Sequence, residues 1–184
     1  MPMANCPSYD CGQEFPTYTI SGCSTKYKGG ANAAVFIRCG SSVSDPSDGT
    51  EIQNLIDAGN AVVVNNLKVN WDAPSAVTTP SYVGCVPDTL ATQDWSITVI
   101  DRNVTAEASD FYGSLIRDFG GELGGIIIRD CGSNRVHYVD EALTVAGGPV
   151  MPDQDTDIQR YELTLTYRSE DFPVIASVPA GIFT

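Results

Sequence analysis

The sequence predicts a mainly β domain, an antiparallel β-sandwich or barrel with one flanking helix at about residues 105–119 and one short helix at about 50–58. Three observations carry this. Apolar and polar residues alternate through 95–102 and 158–168, the two-residue period of a strand with one buried face. The run Val62-Val63-Val64 is β-branched and suits a pleated surface better than a helix. Only two stretches set apolar residues three and four apart, as a helix face requires. The 184 residues, 42% of them apolar, are enough for one core. The expected organisation is therefore a single domain over 1–184, with a cysteine-bearing segment or arm at 1–40 and an extended tail at 170–184.

The first 30 residues are rich in Cys, Pro, Gly, Ser and Tyr, and only 15–20 reads as a strand. After Gly29-Gly30 comes a short buried strand, 33–38, and then a turn-forming stretch to Gly49. Asp48 or Thr50 caps the short helix, whose apolar face is Ile52, Leu55 and Ile56 and which Gly59 stops. A strand follows over 61–70. Residues 72–93, rich in Pro, Thr and Ser, read as one long loop, a length that usually signals a functional or contact segment. The strand 95–102 turns Trp95, Ile97, Val99 and Asp101 to one side. Thr105 caps the better helix, striped by Ala108, Phe111, Tyr112, Leu115, Ile116 and Phe119. Strands at 125–130 and 135–140 form a hairpin, 143–146 is a short strand, and 147–157 reads as an acidic loop. Tyr161, Leu163, Leu165 and Tyr167 share the buried face of the last clear strand. The tail from Asp171 holds Pro173 and Pro179, which favour extended chain, and its apolar residues call for a docking surface.

Ten basic residues against 23 acidic ones give a net charge of −13, which disfavours gripping nucleic-acid phosphates or an anionic membrane surface. No apolar run approaches the length of a membrane span. The N-terminus lacks the pattern of a secretory leader, so folding in a cytoplasm is expected. Cys6, Cys11, Cys23 and Cys39 are candidate zinc ligands, but they lack a CxxC knuckle. Their alternatives are a disulfide framework or, as expected here, reduced thiols acting as small buried residues. Asp153, Asp155 and Asp157 alternate as calcium ligands can. Ile158 and Thr164 stand where an EF-hand loop needs Gly and Glu, so a solvated acidic loop is expected. The single histidine, His137, lies in a strand with no nucleophile elbow in the chain, and a structural role is expected. The glycine-rich run 120–125 follows a helix instead of opening one, so it is a turn and not a phosphate cradle. No catalytic or cofactor-binding residue is assigned, and no cofactor is implied.

The stretch from Trp95 to Asp101, the helix from Glu107 to Phe119, the strand Tyr161-Glu162-Leu163-Thr164-Leu165-Thr166-Tyr167 and the ending Val178-Pro179-Ala180-Gly181-Ile182-Phe183 together resemble tail tube proteins of tailed bacteriophages. The resemblance covers residues 95–184. It implies a non-enzymatic virion protein, assembled in the host cytoplasm. Its subunits would join sheets into hexameric rings that stack into a hollow tube, contacting other virion proteins and passing DNA as non-specific cargo. The tail and residues 72–93 would make the contacts between subunits. Residues 101–184 carry 14 acids against 6 bases, and in a tube these carboxylates are expected to gather on the lumen wall. A capsid decoration protein, a head–tail connector and a tail terminator are alternatives. A small calcium- or ligand-binding β-domain is the alternative from another class.

Overall fold

The computed structural model describes residues 31–79, 89–131, 134–151 and 158–183. In chain order the elements are β1 (Ala31–Ile37), α1 (Gly49–Asp57), β2 (Ala61–Trp71), β3 (Ser75–Thr79), β4 (Thr89–Asp101), α2 (Ala106–Arg117), β5 (Glu122–Leu123), β6 (Gly125–Asp130), β7 (Arg135–Val139), β8 (Leu143–Val150), β9 (Arg160–Ser169) and β10 (Val174–Ser177). All pairings are antiparallel. The strand order is β10-β7-β6-β1-β2-β4-β9-β8-β5, with β3 added alongside β4. The mainly β expectation with two helices holds.

One residue rolls this sheet up. β5 pairs with β8 at one end of the order, while β6 pairs with β1 and β7 near the other. Only Gly124 separates them. Its N–H donates to the Ile37 carbonyl at 2.9 Å, and any Cβ there would strike the Arg38 carbonyl oxygen. A side chain would hold the strands apart at the point where the sheet returns on itself. The result is the barrel form of the expected architecture.

Rolling creates two apolar clusters. The inner one joins Phe36, Leu67, Ile97, Ile126, Ile128, Leu163 and Leu165 to the α2 stripe of Ala108, Phe111, Tyr112 and Leu115. Phe111 meets Phe36 edge-on at 6.0 Å. The outer cluster joins Val35, Ile37, Ile127, Val136 and Tyr138 to Ile52 of α1 and to Ile182 and Phe183 of the tail. β1 and β6 are thus buried on both faces, which is why their apolar runs are unbroken. Each fully buried Ile or Phe is worth roughly 1.5–3 kcal/mol.

Local chemistry fixes the helices. Asp48 caps α1, its carboxylate accepting from the Thr50 and Glu51 N–H groups. Glu51 reaches back to the N–H groups of Ser44 and Asp45 at 2.8 and 3.0 Å, closing the preceding turn. Thr105 caps α2 as expected. Inside β2, Asn66 sits at φ 62°, a conformation that asparagine tolerates better than most residues. Ala33 pairs with Asn65 but Ala31 with Val69, so β2 bulges there. The bulge moves the inward face from Val62 and Val64 to Leu67, Val69 and Trp71.

Several expectations are corrected. Residues 72–93 are not one loop: β3 pairs with β4 from Ser75↔Asp94 to Thr79↔Thr89. The prolines flanking β3 obscure it, and tertiary pairing overrides their turn signal. β8 runs to Val150, beyond the expected strand end at 146. Gly147, Gly148 and Pro149 are poor strand formers, yet β9 pairs with all three. Pro149 is tolerated because its N–H side has no partner strand among the described residues. The buried strand expected at 33–38 is β1, which begins two residues earlier and ends one residue sooner. The expected strand at 15–20 lies outside the described residues.

Candidate functional site

Little of the expected metal chemistry lies within the described residues. Cys39 is disulfide-bonded, which removes it as a zinc thiolate and corrects the expectation of a reduced thiol at this position, while Cys131 is a reduced thiol. Cys6, Cys11 and Cys23 lie outside the described residues, as do Asp153, Asp155 and Asp157. Among the described residues no group of three or more His, Cys, Asp or Glu side chains could hold a metal ion. His137 is half-buried, its ring edge-on to Trp71 at 5.8 Å. Asp140, the acid a triad would use, accepts instead from the Tyr138 hydroxyl at 2.8 Å. That hydroxyl accepts from the Val43 N–H at 3.1 Å. Burial, more than the facing carboxylate, pushes the Tyr138 pKa up.

The distinctive surfaces are strand edges. β10 docks on β7 with Val174↔Tyr138 through Ser177↔Arg135, so the tail binds its own sheet. Ile182 and Phe183 anchor it in the outer cluster, and Arg129 lies over the Phe183 ring while donating to its carbonyl at 3.3 Å. Among the described residues the far edge of β10 has no partner strand. Val174 and Ile175 of β10 are more than half exposed. β3 likewise pairs only with β4 among the described residues, and Ser75 and Ala76 are exposed. Because β9 meets β4 only from Gln93 onward, residues 89–92 and β3 project past the rolled sheet as a two-stranded arm. Neither β10 nor β3 carries a charged residue or an internal proline, the usual guards of an exposed edge.

A third feature is the outward face of β2, β4, β9 and β8, which neither apolar cluster covers. Ser96, Thr98, Thr144, Thr164 and Thr166 line it. Cross-strand neighbours include Thr98↔Thr164 and Thr144↔Thr166. Asp94 and Glu162 share this face with Lys68, Arg160 and Arg168, and most other described carboxylates lie elsewhere. They spread over α1 and its lead-in turn (Asp45, Asp48, Asp57), over α2 (Glu107, Asp110, Asp118) and over strand-end turns (Asp72, Glu141, Glu170, Asp171). Among the described residues, charge marks no single surface.

An aromatic group lies where β2 ends, β4 leaves the sheet and β9 ends. Trp95 stacks on Tyr167 at 5.8 Å with rings 5° from parallel. Trp71 and Phe172 meet Trp95 edge-on at 6.1 and 5.6 Å. Burial pushes the Tyr167 pKa up, the facing Trp71 side chain opposes this, and Glu141 adds to the rise. Sequence periodicity placed Trp95 and Tyr167 inward. It missed Trp71, whose signal was the odd phase it shares with Leu67 and Val69.

No protein-family profile, curated protein or solved structure matches the chain. No helix among the described residues is long and apolar enough to cross a membrane.

Proposed function

We propose that this chain is a non-enzymatic structural subunit of a phage virion, a tail tube protein that forms stacked hexameric rings around a passage for DNA. The observation that carries the reading is the pair of open, uncharged strand edges, β10 and β3, together with the exposed apolar side chains along β10. A lone subunit with such edges is prone to uncontrolled pairing, whereas a closed ring of head-to-tail contacts uses them up. The projecting β3–β4 arm supports the same reading, because a two-stranded ribbon is marginal in water without further packing. The spread of carboxylates lends no support to an acidic lumen.

The test is assembly. The purified chain is expected to form six-fold rings or tubes by negative-stain electron microscopy. A Val174→Lys/Ile175→Lys variant is expected to stay monomeric in light scattering, since both side chains are exposed and their loss spares the core. A wild-type chain that remains monomeric at high concentration overturns the proposal. Particles that follow a capsid lattice would point to decoration instead, and a single ring that never stacks to a connector or terminator.

A further inference from the structure

We infer that the aromatic end of the rolled sheet is a binding site for a neutral sugar ring, with Phe172 as its cover. Four polar atoms converge there from adjacent strands. Trp95 Nε1 and Gln93 Oε1 are buried and make no hydrogen bond, while Trp71 Nε1 and the Tyr167 hydroxyl face each other and have no further partner. Trp95 and Tyr167 are 7% and 6% exposed. Gln93 and Trp95 share one face of β4, Tyr167 is the register partner of Trp95, and Trp71 is the partner of Ile97 two residues further on. Buried indole N–H groups nearly always find partners, so the Trp95 N–H beside an unpaired Gln93 carbonyl marks a place built for something else.

The chemistry of the four atoms specifies the guest. The two indole N–H groups only donate and therefore ask for acceptors. The Gln93 carbonyl only accepts and asks for a donor. The Tyr167 hydroxyl does either. A sugar hydroxyl both donates and accepts, and a pyranose sets several of them around an apolar C–H face. That face packs on an aromatic ring, whose negative π surface attracts the slightly positive hydrogens. All four atoms belong to uncharged side chains, so nothing in the set favours an ionised ligand. A nucleotide would bring phosphates toward a chain of net charge −13. Phe172 lies edge-on to Trp95 and is 71% exposed. Phe172 belongs to neither apolar cluster, so turning it aside leaves the core packing in place. Barrel ends are common places for such ligands.

The chain's only two tryptophans are both in this site, so their emission and indole N–H resonances report on it alone. The probes are glucose, galactose, N-acetylglucosamine and rhamnose, titrated into the full chain and into Phe172→Ala. At the binding efficiency of a drug-sized ligand, a monosaccharide is expected to saturate at about 1–10 mM. At least one sugar is expected to shift both indole N–H signals with a saturable change in emission. Gln93→Leu is expected to weaken that response at least about fivefold by losing one hydrogen bond, with an unchanged circular dichroism spectrum as its folding control. No saturable response to any sugar up to roughly 100 mM, twenty-fold or so above the expected midpoint, in both wild type and Phe172→Ala, overturns the proposal. So does a site whose indole N–H groups show contacts to water alone. Light scattering on the same samples keeps this result separate from the question of assembly.

Discussion

At the scale of single residues, the fold depends on a few positions with no substitute. Asp101 is 2% exposed, yet both its oxygens are used, by the Tyr112 hydroxyl and the Asn103 N–H, each at 2.8 Å. It thereby ties the end of β4 to α2. Asp101→Ala leaves the buried Tyr112 hydroxyl and the part-buried Asn103 N–H without this acceptor and is expected to lower stability by about 2–4 kcal/mol, read from the urea midpoint at constant m-value. Two glycines make opposite predictions. Gly147 has φ 136°, and a Cβ there would overlap the Glu162 carbonyl oxygen across the β8–β9 ladder. Gly147→Ala is expected to cost about 1–3 kcal/mol from backbone strain before any steric shift. Gly113 lies within α2 with open space around it, so Gly113→Ala is expected to add up to about 1 kcal/mol. Thermal melts of the two variants should move in opposite directions. Of these residues, the sequence pattern made only the inward face of Asp101 legible. The strain at Gly147 depends on a strand that its Gly-Gly-Pro context conceals.

At the scale of elements, legibility followed the strength of the local signal. α1 and α2 announced themselves through Asp48, Thr105 and their apolar stripes, and β4 and β9 through strict alternation. β3 and the far half of β8 were hidden because their residues are poor or proline-flanked strand formers, held by pairing with the next strand of the chain. The bulge at Asn66 was hidden for a related reason, since a switch of inward phase shows only once the partner strand is known. The C-terminus of α2 makes a pH prediction. Asp118 accepts from Arg117 and from the Ser114 hydroxyl, and the Arg117 guanidinium, followed by Ser114, lowers its pKa to about 2. Asp94, bound by Arg168 across β4 and β9, and Asp45, bound by Ser47, are lowered as well. A carboxyl depressed in the folded state stabilises above its unfolded pKa, near 4. That contribution is lost as pH falls toward the folded value. Thermal stability is therefore expected to decline between about pH 4 and pH 2, with Asp118→Asn flattening the decline. Salt should blunt the effect, because these pairs are on the surface.

At the scale of the whole molecule, the rolled sheet and the aromatic end were the least legible features. Closure rests on one glycine between two short pairings, and the polar atoms of the aromatic end meet only after three strands have been placed. Composition suggested a −13 chain with an acidic working surface, whereas the folded subunit spreads its carboxylates widely and leaves its edges neutral. The double burial of β1 has a further consequence in time. β1 lies at the centre of the strand order, between β2 and β6, with an apolar cluster on each face. No partial opening at either edge of the sheet exposes its amides. Native-state hydrogen exchange should therefore sort the molecule from the outside inward. Amides of β10 and β3 should exchange first through local fraying, while those of Val35 and Phe36 should wait for global unfolding and report its full free energy. Early exchange in β1 would show that the ring at Gly124 opens as a separate unit. Late exchange would show that the chain holds its centre until everything around it has let go.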